Sequence, residues 1–254
     1  MLEVVGRLQR DRHRIGRLID EQGGGERYAA SLYLTSDTCR QALADDRPAS
    51  LPKIRHSLVE TLRASRPGET GLCIFSGAES TLSVLPPFPV ERDEEHDGFA
   101  PGPLMDLLGR DRTVLVILIR LGHYSIGVLE GERVLASKSG TRYVKSRHRA
   151  GGSSQRRFER SRERLVREFY DRVCRTTDDL LDKTGSAGDV EFVMYGGEGG
   201  TVRGFRDRCD LPRLVRLRSL SRLLDVHRPG HAAMQSIGRQ VYSSTLLFLE
   251  SASG

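Results

Sequence analysis

An α/β fold is what this sequence predicts, and three observations carry the prediction. Short apolar runs such as LCIFSG and VLVILI are bounded by glycine, proline and charged residues, as strands are. Longer stretches between them place apolar residues three and four apart, the period of a helix with one buried face. The two kinds alternate along most of the chain, which implies a mixed β-sheet with packed helices, preceded by a smaller α/β domain.

Taken in order, residues 1 to 22 carry Leu8, Ile15, Leu18 and Ile19 at helical spacing, so a helix is expected up to Gly23, Gly24 and Gly25. RYAASLYLTS follows as a strand, and after a polar loop LPKIRHSLVETLRAS has the helical period. LCIFSG and TLSVLPPF read as two more strands. PFPVERDEEHDGFAPGP, rich in proline and acids, reads as a linker, and its carboxylates lack the periodic placement of a metal site. A boundary near residue 105 therefore divides the chain into domains over 1–105 and 106–254.

The second domain opens with apolar runs broken at LG, EG and SG, the pattern of an antiparallel meander. A long helix is expected just after Ser154, with Phe158, Leu165, Phe169, Val173 and Leu180 as its buried stripe. GDVEFVMYGG is then a strand, GGTVRGFRDRC a short helix, PRLVRLRSL a strand and HAAMQSIGRQVYSSTLLFLE a final helix.

Composition narrows the function. The chain of 254 residues is 37% hydrophobic and 29% charged, and no apolar run approaches the roughly 20 residues that cross a bilayer. Its N-terminus lacks the pattern of a secretory signal, so a cytoplasmic protein without a membrane partner is expected. Cys39, Cys73, Cys174 and Cys209 form no CxxC pair and read as reduced thiols rather than a zinc site or a disulfide framework. His227 and His231 stand four apart, but the intervening Arg-Pro-Gly breaks the helix that would align them on a metal. YGGEGGTVRG lacks the third glycine of a dinucleotide-binding turn, and no GxxxxGK is present, so no nucleotide cofactor is expected.

The charge is concentrated. Lys138 to Arg175 holds thirteen Lys or Arg against four acids, a net +9, while the whole chain is only +6. A helix built merely for solubility interleaves acids for i,i+4 pairing, so this excess points to phosphate contacts. Within it, RHRAGGSSQRRFERSRERLVREFY sets Gly151, Gly152 and Gln155 among Lys145, Arg147, His148, Arg149, Arg156, Arg157 and Arg160. Cations at the start of a helix oppose its macrodipole, a local cost that favours binding phosphate over a structural role. Ser153 or Ser154 suits the N-cap of the helix.

This order of strand, turn, strand, basic loop, glycine pair, glutamine and long helix resembles the middle domain of eukaryotic and archaeal class I peptide-chain release factors. SLYL and GLCIFSG resemble two strands of a shortened N-terminal domain, and the Vms-type peptidyl-tRNA hydrolases of ribosome quality control are the members most similar. The resemblance implies hydrolysis of the peptidyl-tRNA ester on stalled ribosomes or split large subunits, with the large subunit, its ribosomal RNA and peptidyl-tRNA as partners. It implies Gly151, Gly152 and Gln155 as the catalytic tip and the neighbouring cations, with His148, as RNA contacts. Three departures modify this. No codon-reading motif lies between Arg40 and Pro67, and the chain stops at Gly254, where a release factor continues into a domain that docks a GTPase; codon-independent action is therefore expected. The family's contiguous Gly-Gly-Gln is here GGSSQ, so a gapless register gives the glutamine's place to Ser153 and leaves Gln155 in the helix. A non-catalytic ribosome- or tRNA-binding module, and a nuclease trimming the tRNA 3′ end, are the alternatives.

Overall fold

Strand and helix alternate as the hydropathy pattern predicts, and they sort into two units. The computed structural model describes residues 2–22, 27–45, 55–143, 154–185 and 189–251. In chain order the elements begin with β1 (Leu2–Arg10), α1 (Arg12–Gln22), β2 (Ala30–Leu34), α2 (Ser36–Asp45) and α3 (Arg55–Ser65). They continue with β3 (Leu72–Ser76), β4 (Ser80–Leu85), β5 (Glu94–Asp97), α4 (Gly102–Gly109), β6 (Thr113–Arg120), β7 (His123–Glu130) and β8 (Arg133–Thr141). The long helix α5 (Ser154–Thr184) precedes β9 (Phe192–Gly197), α6 (Gly199–Arg208), α7 (Pro212–Arg216), β10 (Arg218–Leu224), α8 (His231–Ser236), α9 (Gly238–Val241) and β11 (Ser244–Ser251).

The first unit comprises Met1–Arg110 and returns for Tyr242–Gly254. Its six strands are all antiparallel, in the order β1-β11-β4-β3-β2-β5. Because strand side chains alternate, each face has its own core. Tyr33, Cys73, Phe75, Leu82, Val84 and Leu246 pack under Ile15 and Ile19 of α1 and Leu104 and Leu108 of α4. On the opposite face Leu32, Leu34, Leu72 and Ile74 meet Cys39 and Ala42 of α2 and Leu58 and Leu62 of α3.

The sequence expectations need four corrections here. Residues 2–10 are a strand rather than the start of a helix, because their ladder partner is β11, more than two hundred residues away, which local periodicity does not reveal. The polar stretch after β2 is the helix α2, its start capped by the Thr35 hydroxyl, which accepts from Thr38 N at 3.3 Å. The expected linker is structured: it holds β5 and leads into α4, buries Phe88 and Val90, and is tied down by Ser31 and Tyr33, whose hydroxyls donate to the Gly98 and Ala100 carbonyls at 2.7 and 2.6 Å. The expected last helix divides into α8, α9 and β11. The division of the chain accordingly falls after Arg110 rather than near residue 105, and its last strand joins the first unit instead of extending the second through 254.

The second unit, Asp111–Val241, has a mixed sheet in the order β10-β9-β6-β7-β8. The meander β6-β7-β8 is antiparallel, as the glycine-punctuated runs predict, while β9 and β10 are parallel to β6 through helical crossovers. PRLVRLRSL supplies the short α7 before the strand begins at Arg218. Leu115, Ile117, Tyr124, Ile126, Val193 and Tyr195 form the core face under α5 and α6, with Phe169, Val173, Val202 and Phe205 packed against them. On the other face Met234 of α8 lies over Gly127 of β7, where a Cβ would sit 2.5 Å from its sulfur.

Candidate functional site

The chemistry proposed from sequence centres on the head of α5, so what fixes α5 decides how it is presented. Its 31 residues span about 46 Å at 1.5 Å per residue. The described side chains from Arg157 to Glu168 are exposed or half-buried; burial starts at Phe169 and continues through Val173, Thr177, Leu180 and Leu181. The C-terminal half is thus the anchored half, and the first four turns carry the charge.

Two ion pairs and a disulfide reinforce the anchor. The Arg208 guanidinium donates to both oxygens of Asp171, at 2.7 and 3.0 Å, and holds that carboxyl below its usual range. Glu168 pairs with Arg142, whose backbone N–H donates to the Gly122 carbonyl at 2.9 Å, so the strand end of β8 is clamped to α5. A Cys174–Cys209 disulfide joins α5 to the end of α6, with Cα atoms 5.7 Å apart. The expectation of four reduced thiols is corrected here: the two cysteines are 35 residues apart in sequence, and only the packing of α6 beside α5 brings them within bonding reach. The free cysteines Cys39 and Cys73 are buried in the first unit.

Lys145, Arg147, His148, Arg149, Gly151, Gly152 and Ser153 lie outside the described residues, between β8 and α5. Ser154, Gln155 and Arg156 form the first turn of α5, with their side chains outside the described ones. Arg157 and Arg160 are exposed three residues apart, hence on one side of the helix. The helix starts where the sequence predicts it. The acids Glu168 and Asp171 stand out only in three dimensions, for in sequence they look like stray counter-charges in a basic run.

The remaining candidates resolve structurally. At the end of β9, Gly197 has φ +105°, a region closed to most residues, and a Cβ there would lie 2.3 Å from the Ile119 carbonyl oxygen. The next residue, Glu198, caps α6: its carboxylate accepts from Gly200 N at 3.0 Å, Thr201 N at 2.8 Å and the Thr201 hydroxyl. That carboxylate takes the first-turn N–H groups that a cofactor phosphate would need. His227 meets Arg120, which donates to its carbonyl at 2.7 Å, while His231 heads α8. Among the described residues no three His, Cys, Asp or Glu are arranged to hold a metal ion, and none of the described helices is long and apolar enough to cross a membrane.

Comparison with known proteins adds the lineage. Peptide chain release factor subunit 1 of Methanopyrus kandleri is 30% identical over 180 residues, covering 66% of this chain and 42% of its own. The corresponding protein of Archaeoglobus fulgidus is 31% identical over 126 residues, 46% of this chain and 31% of its own. The chain thus spans less than half the length of these curated relatives. Among solved structures, an archaeal translation termination factor, aRF1, aligns with a TM-score of 0.38 and 22% identity over 91% of this chain and 72% of that one. Pelota of Archaeoglobus fulgidus aligns with a TM-score of 0.31 and 11% identity over 94% and 65%. The model of one family, described as the Actinobacteria/chloroflexi VLRF1 release factor, matches residues 112–247, more than half of the chain and nearly all of the second unit. The chain therefore belongs to that family, within the class I release-factor superfamily.

Proposed function

We propose that this protein hydrolyses the ester linking a nascent peptide to tRNA on stalled ribosomes or split large subunits, without reference to the codon. The observation that carries the reading is that, in a member of a release-factor family, a Gly-Gly and a glutamine stand at the head of a strongly basic helix. Hydrolysis of an ester needs a positioned water and donors for the developing oxyanion. A glutamine amide supplies a donor and an acceptor but exchanges no proton, so Gln155 orients rather than acts as a base. The 2′-hydroxyl of the terminal adenosine is the proton relay that the family resemblance implies. Arg157 and Arg160, exposed on one side of the helix, hold phosphates of the acceptor end or of ribosomal RNA, together with Lys145, Arg147, His148, Arg149 and Arg156. Gly151 and Gly152 admit close approach of backbone to RNA. The anchoring of α5 at Glu168, Asp171 and Cys174 supports the reading, since orientation contributes to rate only on a rigid support.

The test is single-turnover release of peptide from large subunits carrying peptidyl-tRNA. Gln155→Ala should slow release on the order of 10² to 10³-fold, the loss typical of one preorganised donor, while particle binding persists. Full activity in Gln155→Ala with loss in Ser153→Ala transfers the role to Ser153. Intact tRNA 3′ ends distinguish ester hydrolysis from strand cleavage, and equal rates with sense and stop codons check codon independence.

A further inference from the structure

The anchored half of α5 has a feature that its role as a support does not require. A cleft of about 420 Å³ opens between α5 and the outer strand β8, lined by Tyr124, Lys138, Arg172, Arg175, Thr176, Asp178, Asp179, Leu180 and Lys183. Residues 172, 175, 176, 179 and 183 recur at helical spacing and so form one stripe of α5. Lys138 faces them from β8, the edge of the sheet, where among the described residues only β7 pairs with that strand. Gly140 on β8 leaves room for the lining residue Tyr124: a Cβ there would lie 2.5 Å from the Tyr124 hydroxyl, which stands 3.4 Å from Thr176 Oγ1.

The electrostatics set this place apart from the stretch of α5 just before it. Arg142, Arg164 and Arg208 are matched to Glu168 and Asp171. Lys138, Arg172 and Arg175 are exposed, and none of them makes an ion pair among the described residues. Four cations against two acids leave the lining at net +2. Holding like charges together has a cost that an anionic ligand relieves. The acids narrow the ligand class. A ribonucleotide chain offers phosphates to the cations and 2′-hydroxyl donors to Asp179, whereas a run of carboxylate side chains offers that acid no donor. At 420 Å³ the cleft is of the size that holds one nucleotide unit.

We infer that this cleft binds the sugar-phosphate backbone of RNA, as a second grip distinct from the head of α5. Arg172 lies 18 residues beyond Ser154, about 27 Å along the helix, so one nucleotide cannot satisfy both places at once. The inference shares with the proposed function only the premise of an RNA partner and requires no hydrolysis.

The experiment uses the full chain with a short fluorescent single-stranded RNA, and with DNA of the same sequence, read by anisotropy across a salt series. The wild type should bind RNA more tightly than DNA. Arg172→Gln with Arg175→Gln should weaken RNA binding about tenfold at low salt and flatten the log–log salt slope by about 1.4, at roughly 0.7 per single-strand phosphate contact. Lys138→Gln on the opposite wall should act in the same direction, and unaltered circular dichroism separates these effects from misfolding. Asp179→Asn should reduce the preference for RNA over DNA without weakening DNA binding. Absence of RNA binding by the wild type, an unaltered slope in the double variant, or polyglutamate competing as well as RNA would each overturn the inference. Peptide release is not measured here, so loss of the hydrolytic reading leaves these outcomes intact, and the converse holds.

Discussion

Glu198 shows how much a single side chain settles. Its carboxylate is held below the usual range chiefly by the Thr201 hydroxyl, against the opposing effect of burial, with the Thr201 and Gly200 amides adding to the lowering. An acid whose folded pKa is depressed stabilises the fold above its unfolded pKa and loses that contribution as pH falls through the folded value. Glu198→Ala should therefore lower stability by on the order of 1 kcal/mol at neutral pH, as loss of a helix cap does, and the gap in melting temperature should close in acid. The cysteines give a second prediction at this scale. Burial pushes the Cys39 thiol up to about 12 and raises Cys73 as well, so both should resist thiol reagents in the native protein. Unfolding without reductant should expose two thiols and unfolding with reductant four. Cys174→Ser should cost about 3–4 kcal/mol, since the bridge closes a long loop in the unfolded chain.

Among the elements, legibility followed the range of the interactions that make them. The meander β6-β7-β8 and the start of α5 were readable because hairpin partners and helix periods are local. β11 was not, because Leu246 belongs to the core under α1 and α4 while Leu247 and Leu249 are buried on the other face, leaving a continuous apolar run that a buried helix shares. β1 was lost for the matching reason: Val4 and Val5, exposed and separated by a break in register, show no clean alternation, and their partner strand is remote. The stretch around β5 misled through its prolines and acids, although Phe88 within it is fully buried. For the site, the basic helix was legible and its supports were not, since Arg142 meets Glu168 and Cys174 meets Cys209 only after folding. Leu246→Asp should test the place of β11. A carboxylate at a fully buried site in the middle of the first sheet should cost several kcal/mol, and hydrogen exchange should rise in β1 and β4 while β6 and β9 stay protected.

Across the whole molecule, charge and connectivity divide the labour between the units. The window of net +9 lies entirely within the second unit, whereas the rest of the chain sums to −3. The first unit is a frame whose sheet is interrupted in sequence by the entire second unit, for Leu2 pairs with Ser251 and Arg10 with Ser244. Order of assembly follows from that pairing. During synthesis every residue of the second unit has been added by Val241, while β1, though made first, has no ladder partner until β11 is translated. The second unit can therefore mature ahead of the frame, and an unpaired β1 carrying exposed valines must wait, the kind of open edge that nascent-chain chaperones shield.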